Sequence, residues 1–172
     1  MSERTHLDEI VKYPDIALRI LERNRLFVSL LIDIPNASLD DPAVRRRWDA
    51  QTNNFNFIDG VVQDTMSFCC VDTSIEMDGG QIKWVDLELL IGVHKQNMKL
   101  YGTEFSNLTG NRRDNLLREA DYSLRTSRDF GIGAVVPSGR IEAIAAVNHP
   151  DFACKLLRYN IATFAKGWNI ER

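Results

Sequence analysis

Cysteine is scarce in this sequence and badly placed for cross-linking: three residues, Cys69, Cys70 and Cys154, in a chain of 172. An odd count with two neighbours is a poor disulfide framework. Adjacent residues of a strand point to opposite faces, so Cys69 and Cys70 do not converge on one metal. No CxxC and no Cys/His cluster exists. The three thiols are expected to be reduced, partly buried apolar groups in a reducing cytoplasm. A basic excess is also missing. Lys and Arg number 21 against 24 Asp and Glu, a net charge of −3, which disfavours a sequence-independent nucleic-acid binder. No apolar run approaches the roughly 20 residues of a membrane span. The opening MSERTHLDEI has no apolar stretch of the signal-peptide kind, so no use is expected for the sequon Asn107-Leu108-Thr109. Nucleophile motifs such as GxSxG are absent, and the histidines (His6, His94, His149) sit near the ends of expected elements.

What is present is an ordinary globular composition, 44% hydrophobic and 26% charged, long enough for a core without staples. Three stretches are expected: an N-terminal helical segment (1–35), a loop or arm with a short helix (36–58), and an α+β core with a C-terminal tail (59–172). Residues 6–31 show apolar spacing of 3 and 4, interrupted at Tyr13-Pro14-Asp15, with Asn24 as a cap or joint. Asp40-Asp41-Pro42 starts a helix over "AVRRRWDAQ". Residues 61–76 alternate as a strand, with Cys69, Val71 and Ile75 on one face. After the Asp78-Gly79-Gly80 turn, "IKWVDLELLIGVHK" places Val85, Leu87, Leu89, Ile91 and Val93 on one face, with Leu90 the exception on the other. Residues 112–125 form an amphipathic helix whose apolar set includes Leu116, Leu117, Ala120, Tyr122 and Leu124, capped by Asn111 or Thr109. The sequence predicts a further strand over "AVVPSGRIEAIAAV", a turn at His149-Pro150-Asp151, and a last strand over "FACKLLRYNIATF". The architecture expected is α+β: an antiparallel sheet of about four strands, one helix packed on its face, and N-terminal helices.

The chemical readings are weak. Asp129-Phe130-Gly131 spells a kinase tripeptide, but the glycine-rich loop, strand lysine and catalytic loop that a kinase needs are missing. It reads as a helix stop. His149-Pro150-Asp151 lies between strand-like flanks and reads as a turn rather than as the J-domain tripeptide. Cys69 or Cys70 with His94 across the hairpin is the one nucleophile–base pairing to consider. Asp86 and Glu88 share a face about 7 Å apart; such a pair holds a cation, does acid–base work, or forms the wet face of a sheet. The run Arg45-Arg46-Arg47-Trp48 suits a protein contact, a solvated helix face or nucleic acid.

Four stretches resemble a small family of tailed-bacteriophage virion proteins from the neck, or head–tail connection: FCCVDTSIEM, WVDLELLIGVHKQNMKL, RRDNLLREADYSLRTSRDFGIG and LLRYNIATF. The likeness spans about two-thirds of the chain, roughly Asp59 to Phe164. The DGGQ hairpin and the arginine-rich stretch at 40–56 depart from the family. The resemblance implies a non-enzymatic, tail-terminator-like structural protein without cofactor or metal. Such a protein forms a homo-oligomeric ring, hexameric or dodecameric, between portal or adaptor and tail tube or sheath, with DNA only passing through. Its place would be the virion, after assembly in the host cytoplasm. The alternatives are another capping or assembly subunit of a tail-like machine, or a small cytoplasmic enzyme or ligand-binding domain. An enzyme is expected to gather perturbed titratable groups in a pocket; an assembly protein leaves apolar or arginine-rich patches exposed. The interface candidates are Arg45, Arg46, Arg47, Trp48, Trp84, Asp86, Glu88 and Trp168.

Overall fold

The computed structural model describes residues 11–52, 67–78, 81–127 and 151–161, the side chains of 76–78, 81–84 and 160–161 excepted. The expected strand over 134–147, the Asp129-Phe130-Gly131 turn, the Gly79-Gly80 turn, His6, His149, Trp168 and the side chain of Trp84 lie outside the described residues.

The chain forms an α+β fold of two layers. Helices α1 (Tyr13–Glu22), α2 (Arg25–Ile32) and α3 (Pro42–Thr52) come first. Strands β1 (Ser67–Asp78) and β2 (Gln81–His94) follow, then α4 (Arg112–Thr126) and β3 (Phe152–Ile161). The three strands form one sheet in the order β1-β2-β3, and both pairings are antiparallel. All four helices contact one side of this sheet or each other.

The period-2 pattern of β2 sets which side that is. Val85, Leu87, Leu89, Ile91 and Val93 are all fully buried against the helices. At about 1.5–3 kcal/mol for each large apolar side chain removed from water, this row is a major contribution to the fold. Register places Cys69 and Val71 of β1 and Leu157 and Tyr159 of β3 on the same side, and all four are buried there.

The opposite face carries a second, smaller cluster at one end of the sheet: Phe68, Cys70, Phe152 and Cys154, with Leu90 packed against them. Leu90 breaks the alternation of β2 because it belongs to this cluster. Gly92 belongs to it too. A Cβ at position 92 would lie 2.1 Å from Cζ of Phe68, so the ring occupies the space that only a glycine leaves free.

Helix α2 opens on the exposed Arg25 and is then largely apolar, and all six residues from Phe27 to Ile32 are buried. Such a helix has to end inside the protein, where its last carbonyls need donors. Asp33 turns the chain in the left-handed conformation, φ 59°, and its neighbour Ile34 donates its amide to Ser29 O at 3.2 Å. The carbonyls left over are met from other helices. Gln51 of α3 donates to Leu31 O at 3.1 Å. Arg112 of α4 donates to Leu30 O at 2.9 Å and to Asn97 O at 3.1 Å, and its guanidinium is ion-paired to Asp33. Arg112 is only 1% exposed, and Phe105 lies beneath its guanidinium, 5.7 Å from ring centroid to Cζ.

The helices at 13–52 belong to the packed body of the subunit. Their buried residues share one continuous core with the sheet and α4. The reason is the stripe on α1, the buried run Phe27–Ile32 of α2 and the two apolar anchors of α3, Val44 and Trp48, all of which need cover. Asn24 is both cap and joint. Its Oδ1 accepts the Phe27 amide at 3.0 Å, and its Nδ2 donates to Ser123 Oγ at 2.8 Å and Glu119 Oε2 at 3.2 Å on α4.

Candidate assembly surfaces

The run Arg45-Arg46-Arg47-Trp48 is divided by the geometry of α3. Positions 44 and 48 are one turn apart and face inward, so Trp48 is 2% exposed and meets Phe27 edge-on at 6.2 Å between ring centroids. Trp48 is therefore a core residue and not an interface candidate. Its indole packs against Phe27 between α2 and α3, one helical turn on from Val44. Arg45 is half-buried and ion-paired to Glu22 of α1 at 2.7 Å. Arg46 and Arg47 are exposed; Arg46 donates only to Pro42 O, one turn back, at 3.3 Å.

Asp86 and Glu88 lie on the face of the sheet turned away from the helices, as the alternation required. Register sets Asp72 beside Glu88 and Ser74 beside Asp86, with Arg158 beyond Glu88 on β3. Glu88 Oε1 accepts from Arg158 Nη2 at 2.7 Å and from Ser74 Oγ at 3.2 Å. Asp72 is exposed, and its carboxylate accepts the adjacent Thr73 amide at 2.8 Å. Among the described side chains, Asp72, Asp86, Glu88 and Arg158 lie on this face.

The nucleophile–base pairing is not assembled. Cys69 faces the core and is fully buried, and burial, followed by the neighbouring Cys70, pushes its thiol well above the ordinary range. Cys70 is on the outer face opposite Leu90, four residues and about 13 Å along β2 from His94. His94 instead stands edge-on to Phe152 at 5.3 Å and accepts the Gln96 amide on Nδ1 at 3.3 Å. Among the described residues, no group of three or more His, Cys, Asp or Glu side chains is placed to hold a metal ion. No helix among them is long and apolar enough to cross a membrane.

Ionisable groups with displaced pKa values serve the fold. Tyr159, 1% exposed, donates to Asp121 Oδ1 at 3.0 Å, and burial with that carboxylate raises its phenol. Asp114 stands in the first turn of α4, where Asn111 caps the helix by accepting its amide at 2.9 Å. Burial alone would raise the Asp114 carboxyl. Hydrogen bonds from Lys155, Asn111 and Arg113 outweigh it and hold the carboxyl below its usual range.

The helical layer carries a set of exposed groups, of which sequence reasoning expected Arg118 and missed the rest. Tyr122, expected on the apolar side of α4, is 65% exposed. The signal was available: it lies two residues after Ala120, about 200° around the helix from the stripe formed by Leu116, Ala120 and Leu124. Arg118 is exposed beside it, as are Arg19, Arg23 and Arg25 near the α1–α2 corner. Tyr101, also 65% exposed, borders an open concavity of about 430 Å³ lined by Met98, Leu100, Phe105 and Leu108.

Comparison of the chain with protein-family models, curated proteins and solved structures found no match.

Proposed function

We propose that this chain is a structural subunit of a tailed-phage virion, a neck or tail-terminator-type protein that forms a ring joining head to tail. The observation that carries the reading is the set of exposed Tyr and Arg side chains on an otherwise well-packed subunit. Tyr122 and Tyr101 stand in solvent. Arg19, Arg25 and Arg47 are exposed, with neither a hydrogen bond nor an ion pair among the described residues. Tyr and Arg dominate the energetics of protein contacts because each combines a broad apolar surface with directed hydrogen bonding.

The order of elements supports the same reading. The stretches that resemble the neck proteins become β1, β2 with its following loop, α4 and β3. The buried Arg112 of α4 ties that helix to the end of α2 and to the loop after β2.

The test is solution mass by light scattering over a concentration series, with negative-stain imaging of the protein alone and mixed with phage heads and tails. Rings, alone or at the end of tails, are expected. A strict monomer that ignores heads and tails and does not join them would overturn the proposal.

A further inference from the structure

We draw no further inference here: the strongest candidate, the open concavity in the loop between β2 and α4 that is lined by Met98, Leu100, Phe105 and Leu108 and bordered by the exposed Tyr101, is an unpartnered apolar surface, and nothing in the structure shows what covers it.

Discussion

Replacing Arg112 with methionine keeps most of the side-chain volume and removes the guanidinium. Three groups lose their partner: the carbonyls of Leu30 and Asn97, and the carboxylate of Asp33. A buried acceptor left without a donor costs about 1–3 kcal/mol. Asp33 is 39% exposed, so water takes over much of its solvation and its share is small. Against these losses, the variant no longer carries the several kcal/mol needed to strip water from a cation that is 1% exposed. The balance should favour destabilisation by about 2–4 kcal/mol, because the two carbonyls remain buried whichever side chain stands at 112. Arg112→Lys should lose about half as much, since one ammonium does not span three acceptors held by a planar fork. Asp33→Asn should cost less than either. Urea unfolding followed by circular dichroism, with the slope held common, measures all three. A methionine variant as stable as the wild type would refute the reasoning. It would mean that the end of α2 finds other donors once the guanidinium is gone.

Gly92→Ala drives a methyl into the Phe68 ring; a loss of about 1–3 kcal/mol is expected, and an unchanged thermal midpoint would show that the ring moves aside at no cost. Trp48→Ala should destabilise the monomer by about 3–5 kcal/mol, and a loss of assembly with stability intact would return Trp48 to the surface. The Asp114 carboxyl is held low in the folded state, so its contribution is present above the unfolded carboxylate range and fades as pH falls through the folded value. Asp114→Asn should therefore flatten the acid limb of the stability–pH curve below about pH 4 and leave its shape near neutrality unchanged; an unaltered acid limb would contradict the capping account. Cys69 should react with a thiol reagent only on unfolding, and rapid labelling of the native protein at that residue would contradict its burial.

The period-2 row of β2 made the sheet legible, because five alternating apolar residues have one reading. The α4 helix was equally plain, with Asn111 or Thr109 expected as its cap, and Asn111 is the one the structure uses. Helix α3 was found, but Trp48 was assigned to the surface because it follows three arginines. Composition spoke there louder than spacing, and the spacing from Val44 was right. Arg112 was hidden for the opposite reason. A cation at the first position of a helix is locally disfavoured by the dipole, so nothing nearby predicts its burial. Its partners on α2 are brought to it only by the tertiary fold. Tyr122 illustrates the limit of counting apolar residues without their angle. Of the surface groups, Asp86 and Glu88 were placed on the correct face by alternation alone. Their company, Asp72 and Arg158, comes from strands paired through register, which one strand's sequence does not contain.

The guanidinium of Arg112 reaches the Leu30 carbonyl across 82 positions of chain. This has a consequence for how the protein is made. When α2 leaves the ribosome it is an apolar helix with an open end, and the donor that closes that end has not been translated. Closure waits for the hairpin and for α4, so the N-terminal third spends that interval as a hydrophobic segment in need of shelter. Capping the end of α2 is then expected only after α4 has formed, since loop closure over so long a stretch of chain comes late. A fragment stopped before Arg112 should remain a client of chaperones, while a chain carried past α4 locks its first helices in the same step that completes its sheet.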